Sequence, residues 1–403
     1  MPSAPDERPL APALRESRRG FLRHAASGAA LVLMPKGVRG QSAPRRSATG
    51  AFTVARQQGR WWLIAPDGQR SFSLGLNHID SSPLRYPEAG DLWARKYGNS
   101  TERWLKESVR PDLIEWGFNT VGWTQEVVVR GDKIHRHSPP FTYEEYQWLD
   151  LPYCHLLPFS EIHQWEDETR HPDFFSQDFS DWCDFVARHA CARMAGDSKL
   201  IGYFYSDCPM WVHTSPTNQW KGPLFDPARL ESEAGRKSLS ELATRYYRVT
   251  HEAIRRYDKH HLILGDRYEA AAPLPMEVVD AAKPFVDVLC FQAFRQPIKD
   301  LTDWHARTGK PVLWADGARN VPARDPETGA PVVRNGGSWY GEVLGGLRSN
   351  PGCVGAHLCG AYLRNRARRR GLRDEREQLD TENVALIAQA NRAMTQWVET
   401  FRP

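Results

Sequence analysis

A glycine-rich phosphate-binding turn, paired cysteines and an apolar run of membrane length are all missing from this 403-residue chain. No GxGxxG-type turn follows any strand-like run, which removes the usual backbone cradle for a nucleotide phosphate and leaves no cofactor to be expected. Seven cysteines, Cys154, Cys183, Cys191, Cys208, Cys290, Cys353 and Cys359, make an odd number without a CxxC pair. Neither a disulfide framework nor a zinc ribbon fits that spacing, so the thiols read as small buried side chains. Histidine offers no metal motif: His135 and His137 lack nearby acidic partners and His260-His261 opens a strand-like run, so no metal is expected. Apolar runs all fall short of the roughly 20 residues that cross a bilayer as a helix.

An excess of charge is missing as well, once the N-terminus is set apart. Of 53 basic and 49 acidic residues, seven and three respectively fall within residues 1–40, leaving 46 of each in the remainder. The formal net charge of +4 therefore belongs to the leader. A balanced remainder gives no reason to expect nucleic acid as a partner.

That leader has a recognisable order. Ser17-Arg18-Arg19-Gly20-Phe21-Leu22-Arg23 precedes a short apolar stretch, Ala25 to Met34, the pattern of a twin-arginine export signal. The expectation is a signal over residues 1–40, cut near Gly40, and a Ser/Ala/Arg-rich linker over 41–50. Residues 51–403 then form a single domain. The twin-arginine export machinery is the partner this implies, with a periplasmic or extracellular destination and no stable membrane insertion. A basic tail on a cytoplasmic protein is the alternative. Because that route carries folded proteins, export by it does not force the thiols to pair.

Alternation of strand-like and helix-like runs dominates the rest. Arg60 to Ala65 and Arg70 to Leu76 flank Pro66-Asp67-Gly68, the composition of a hairpin turn. Strand candidates follow at Ser73 to His78, Phe118 to Gly122, Cys154 to Phe159, Leu200 to Tyr205, His261 to Gly265, Val286 to Phe291, Pro311 to Ala315 and Cys353 to Leu358. Apolar spacing of three to four residues between Leu239 and Tyr257, and again between Asn383 and Trp397, marks helices. Eight strands alternating with helices predict an α/β fold, a (β/α)8 TIM barrel with an N-terminal β-hairpin. Pro111 interrupts the helix expected between the first two strands. Residues 125–153 are long enough for an extra hairpin or lid, and residues 209–236 form a second long loop, rich in Trp, Pro, Thr and Asn.

Barrels of this kind build their sites where the strands end, because the loops vary while the packed barrel fixes their roots. Leu200 to Trp211, LIGYFYSDCPMW, stops abruptly at Asp207, and Pro311 to Asp316, PVLWAD, stops at Asp316. Two carboxyl groups are what glycoside cleavage needs, one protonated for the leaving oxygen and one ionised as nucleophile or base. Asp207 and Asp316 are the first catalytic pair, with Glu269 as a further candidate. Either aspartate alone is equally a cap or loop acceptor. Asn77, His78, Trp123, Trp211, His213, Arg267, Gln292 and Trp314 also fall at or just past strand ends and are the expected substrate-binding residues. Tryptophan faces stack on the apolar faces of sugar rings, and the chain has 15 tryptophans. Large aromatics that merely roof the barrel are the plainer alternative. Arg364, Arg366, Arg368, Arg369, Arg370 and Arg373 form a basic run after the eighth strand. It suits either the sulfate or carboxylate groups of an acidic polysaccharide or a solvated loop.

The opening WWLIAPDGQRSFSLGLNH and the stretch from Glu102 to Gly122 with the strands that follow resemble the agarase-like glycoside hydrolases of the barrel clan that includes family 50. The resemblance covers roughly residues 59–360 and lies in pattern rather than long identity. It implies a glycosidase whose fourth strand ends in Asn-Glu, the Glu being acid/base, and whose seventh strand ends in a nucleophilic Glu. Laid on that pattern, Asp316 falls on the nucleophile, Asp207 on the Asn and Cys208 on the acid/base. Cysteine is a poor proton donor to a glycosidic oxygen, with an ordinary pKa of about 8.5. Asp207 acting one residue early is the preferred resolution, with Glu269 as the alternative donor. Shorter side chains widen the carboxyl gap toward the roughly 6.5–9.5 Å of inverting enzymes. The expected function is an exported glycoside hydrolase acting on a polysaccharide or oligosaccharide. A barrel that binds carbohydrate without cleaving it is the alternative, and a hydrolase with Cys208 as nucleophile is a third reading.

Overall fold

In the computed structural model, residues 50–402 are described except 132–134, 161–171, 210, 212–226, 272 and 326–328. Residues 1–49, which carry the expected signal and most of the expected linker, lie outside the described residues. Eight parallel strands close into a barrel in chain order. They are β1 (Ser73–Leu76), β2 (Thr120–Val121), β3 (Tyr153–Leu156), β4 (Leu200–Asp207), β5 (Leu262–Glu269), β6 (Leu289–Gln292), β7 (Val312–Gly317) and β8 (Cys353–Leu358). Each coincides with one of the eight apolar runs. The strands are buried on both faces, which is why they read as nearly unbroken apolar segments.

Ahead of β1 a small antiparallel sheet pairs Thr53–Gln57 with Arg60–Ile64 and Arg60–Ile64 with Arg70–Ser71. Its turn is the Pro66-Asp67-Gly68 sequence: Gly68 takes φ 86°, and Asp67 Oδ1 accepts from Gln69 N at 2.9 Å. Arg60 donates to Arg348 O at 2.7 Å and to Cys353 O at 3.1 Å, which fastens the sheet under the start of β8. Phe52 and Leu63 join the apolar cluster of the barrel interior with Leu156, Phe204 and Leu313. The hairpin thus closes the N-terminal end and leaves the opposite rim for chemistry.

Helices form the outer layer. Gln177–Met194, Glu233–Tyr257, Met276–Ala282, Pro297–Thr308 and Gly337–Leu347 follow β3 to β7 in turn, and Thr381–Thr400 ends the chain. Pro111 does not break the first connection. Thr101–Trp104 runs through a π-helical turn, Leu105–Val109, into Arg110–Glu115, where the proline occupies the first turn and needs no amide partner. The long segment after β2 holds an antiparallel pair, Val127–Arg130 with His135–His137, and then a helix, Tyr143–Leu149, opened by a Thr142/Glu145 capping box. All seven cysteines are buried and unpaired by disulfides. No helix among the described residues is long and apolar enough to cross a membrane.

Two breaks in strand phase decide which side chains face the rim. Along β5, Leu262 and Leu264 point into the barrel, so strict alternation would send Asp266 inward and Arg267 outward. Gly265 instead adopts φ +65° at a bulge where pairing to β4 slips. Phase inverts there: Asp266 turns to the helix layer, where Tyr246 and Tyr247 donate to it, and Arg267 turns inward. Only glycine suits the position, since a Cβ would meet Val286 Cγ1 at 2.8 Å in a left-handed backbone. Pairing of β7 with β8 slips between Trp314 and Gly317, which carries Asp316 over the rim.

Candidate functional site

Asn77 and His78 follow β1 directly. Asn77 is fully buried and ties three strands: Oδ1 accepts from Trp123 N at 2.8 Å, and Nδ2 donates to Ala315 O at 2.8 Å and Asp316 Oδ1 at 2.6 Å. His78 has φ 64°, a left-handed conformation that costs a non-glycine residue of order 1 kcal/mol or more. It is held there by its amide on Trp123 O at 2.6 Å and its carbonyl on Tyr362 N at 2.9 Å. The turn sets Nδ1 against Gln125 O at 2.5 Å and Nε2 3.7 Å from Asp316 Oδ1. With Nδ1 donating to a carbonyl, a neutral ring would aim the Nε2 lone pair at a carboxylate. Burial and the Arg368 charge oppose protonation, but Cys359, Glu126 and the Asp316 contact outweigh them and raise the pKa to about 9. His78 is an imidazolium at neutral pH.

Asp316 is 4 % exposed. Burial disfavours its ionised form, yet Arg267, His78 and Asn77 together hold the carboxyl well below the usual carboxylate range. Arg267 lies fully buried, with its guanidinium carbon 3.9 Å above the Trp123 ring and Nη1 on Ala315 O at 3.3 Å. Its Nη2 meets Asp207 Oδ1 at 2.7 Å, a charge contact rather than an aligned hydrogen bond. Gln292 Nε2, from the end of β6, also donates to Asp207 Oδ1. One guanidinium thus serves both aspartates.

Glu269, two residues beyond Arg267, is on the same inward phase of β5. Burial raises its pKa most; a hydrogen bond from Ala271 N lowers it, and the charges of Asp316 and Asp207 raise it again, to about 7. The rim therefore carries one carboxyl ready to be protonated near neutrality and one that stays ionised. Opposite requirements on two carboxyl groups are what acid/base catalysis asks of an environment. The Cys208 thiol cannot join them. It is buried at φ 43°, and burial followed by the charges of Asp207 and Glu269 pushes it far above the thiol range. At so high a pKa it forms no thiolate to act as a nucleophile and is too weak an acid to be a useful proton donor.

Of these groups, His78, Asp207, Gln292 and Asp316 line a cleft of about 460 Å³ together with Arg368 and Arg370 among others, while Asn77, Arg267 and Glu269 are not part of its lining. Of the residues expected from sequence, Asn77, His78, Asp207, Arg267, Gln292 and Asp316 come together at the rim, and the charges of Asp316 and Asp207 reach Glu269. The three expected tryptophans, all described, do not offer open faces there. Trp123 is 3 % exposed, covered by Arg267 and packed on Phe204. Trp314 is fully buried in the helix layer against Trp339 and Tyr340, with Nε1 on Ala293 O, because it alternates with the inward Leu313 and Ala315. Trp211 packs among Phe174, Tyr246 and Tyr247. His213 lies outside the described residues.

Cys359, Glu126 and Asn320 belong to this region and were not singled out from sequence, whereas Arg368 and Arg370, named there within the basic run, do reach the cleft. Cys359 directly follows β8, so its place at a strand end was the available signal. Glu126 comes from the inserted hairpin and pairs with Arg368 at 2.7 Å, a contact across 242 residues that no local pattern announces. The basic run is only partly solvated: Arg366 and Arg369 are exposed and Arg370 is buried. Arg364 pairs with Asp325 and Glu375, Arg366 with Glu88, and Arg373 with Asp112. Among the described residues, His78, Asp316 and Cys359 form a group whose ligand atoms lie within 4.8 Å of one another, the spacing of a metal site. Arg368 and Arg370, however, approach the Cys359 sulfur at 3.3 and 3.2 Å, so a divalent cation there would face two guanidinium groups.

The fold is similar to that of solved agarases. One agarase structure, AgWH50C, superposes with a TM-score of 0.65 at 18 % identity over 88 % of this chain and 65 % of that one. An exo-β-agarase gives 0.66 at 18 % identity over 88 % and 66 %, and BpGH50 gives 0.61 at 16 % identity over 91 % and 86 %. This chain thus spans just under two thirds of the first two structures. No family model matches the chain, and no curated protein sequence does. At such identities the likeness is one of fold, and the chain's barrel is that of the agarase structures.

Proposed function

We propose that this chain is a glycoside hydrolase acting on a polysaccharide or oligosaccharide, with Glu269 as proton donor and Asp316 as the ionised partner. The observation that carries the reading is the pair of opposed carboxyl states at one rim: Glu269 raised to about 7 and Asp316 held below the carboxylate range. In the step, the bond from the anomeric carbon to the glycosidic oxygen breaks as Glu269 gives its proton to that oxygen. Asp316 takes a proton from the water that adds to the anomeric carbon, or adds to that carbon itself before water displaces it. Arg267 and Gln292 fix Asp207 at the rim as an acceptor for sugar hydroxyl groups. This assignment moves the donor from Asp207, which the sequence favours, to Glu269, because Asp207 is engaged by a buried guanidinium and Glu269 is not.

Release of reducing ends from a panel of polysaccharides tests the proposal. The wild-type chain should cleave at least one member, and Asp316→Asn should lower that rate by at least 100-fold, in line with an effect of roughly 10² to 10⁴ for a positioned acid or base. Undiminished cleavage by the variant would remove Asp316 from the chemistry. A second reading, a barrel that binds carbohydrate without cleaving it, is favoured by Cys208, whose thiol supplies no acid where the resembling enzymes keep theirs. Sugar binding without turnover on every panel member would support that reading. The arginine pair at 18–19 further supports export by the twin-arginine machinery to the periplasm or beyond. A reporter fused after residue 45 should lose its export when both arginines become lysine.

A further inference from the structure

Among the described residues, the charges around the cleft do not balance. Three carboxylates there have a cation within 4 Å, Asp207 having Arg267 at 2.7 Å, Asp316 His78 at 3.7 Å and Glu126 Arg368 at 2.7 Å, while Glu269, raised to about 7, has none among the described residues. Arg370 is left over. It is 5 % exposed, yet Nη1 donates to the Asn320 amide oxygen and Nη2 to Cys359 O at 2.5 Å and Cys359 Sγ at 3.2 Å, none of them a carboxylate. Its Nε is buried and has no partner among the described residues. Arg130, from the inserted hairpin, lines the same cleft and also has no carboxylate partner among the described residues.

Burying a guanidinium without a paired carboxylate is costly: burial pulls the pKa of Arg370 downward, and the charges of Cys359, Asp316 and Glu126 only partly offset it. A protein that keeps such a group at the wall of its cleft gains stability when an anion arrives, and a planar fork suits carboxylate and sulfate oxygens. A neutral sugar would leave the cost in place.

We infer that the cleft takes an acidic sugar unit, whose carboxylate or sulfate ester is held by Arg370 and Arg130, so that the substrate is an acidic rather than a neutral polysaccharide. The inference rests on the reading of the cleft as a sugar site. It gives a role to Arg370, which lies against the rim while Arg364, Arg366, Arg368 and Arg373 pair with acids.

Calorimetric titration of the chain with three tetrasaccharides tests it: a neutral galactan, its sulfated form and an oligogalacturonate. One acidic ligand should bind at least tenfold more tightly than the neutral one. Which of the two does so separates sulfate from carboxylate as the anion. Arg370→Gln should bring the acidic and neutral ligands to parity, and Arg130→Gln should weaken the acidic ligand alone. If Arg370→Gln lowers the melting temperature sharply, Arg370→Lys, which keeps charge but loses the fork, serves in its place. The wild-type comparison needs no variant at all. Neutral ligand bound as tightly as both acidic ones overturns the inference and leaves the glycosidase reading standing. Acidic ligand bound through Arg370 but never cleaved upholds the inference and counts against hydrolysis. Binding of none of the three sinks both.

Discussion

Replacing Glu269 by Gln removes the proton that the mechanism needs while keeping size and much of the hydrogen-bonding capacity. The environment shifts this carboxyl from an ordinary value of 4.5 to about 7. At pH 6 about 90 % of it is protonated, against about 3 % for a carboxyl with an ordinary pKa. Wild-type kcat/KM should therefore stay level up to about pH 7 and fall tenfold per unit above it. The Asp316 carboxyl, held low, gives no acidic limb in the ordinary carboxylate range. Glu269→Gln should cost roughly 10² to 10⁴ in kcat/KM on a natural glycoside and abolish the basic limb. The loss should shrink to less than tenfold on a glycosyl fluoride, whose leaving group needs no proton. Initial rates across pH 4 to 9 on both substrates measure this. A variant that keeps the wild-type basic limb, or loses as much on the fluoride as on the glycoside, would refute the assignment of Glu269 as donor.

His78 offers a test on stability alone. Its pKa is raised from 6.5 to about 9 in the folded chain, so its contribution is complete below pH 6.5 and is lost as pH rises through 9. The stability difference between wild type and His78→Gln should fall by about 3 kcal/mol over that window, and a constant difference in urea unfolding from pH 6 to 9.5 would contradict it. Gly265→Ala forces a left-handed conformation and a contact with Val286. Roughly 1–3 kcal/mol of stability should be lost, with partial rescue by Val286→Ala; a neutral effect would mean the bulge does not need glycine. Cys208 should resist iodoacetamide at pH 7.5 in the folded chain and react fully in denaturant, as read by mass spectrometry. Rapid labelling with loss of activity would revive the thiol nucleophile.

The barrel was legible in the sequence because each of its strands is buried on both faces and so appears as an apolar run between turns. The rim was legible only by position, since a residue past a strand end is placed there by topology whatever its neighbours do. Orientation was not legible. Gly265 reverses the phase of β5 and decides that Arg267, not Asp266, faces the cleft, yet in the sequence it is one glycine in an apolar run. Trp314 shows the converse: it sits one residue before the phase break in β7 and is carried into the helix layer. Ionisation was out of reach too. Asp207 and Asp316 look equivalent as strand-end aspartates, and their different surroundings come from Asn77, His78, Arg267 and Gln292, which are far apart in the chain. The pairing of Arg368 with Glu126, and the lack of a carboxylate partner for Arg370 among the described residues, likewise follow only from the folded cleft.

Carboxyl 13C NMR of the chain, assigned by difference against Glu269→Gln and Asp316→Asn, addresses the opposed carboxyl states without requiring a known substrate. Glu269 should titrate at about 7 while Asp316 stays ionised through the whole range from pH 4 upward. A Glu269 signal titrating near 4.5, or an Asp316 signal titrating above it, would contradict a cleft that holds one proton donor and one permanent carboxylate.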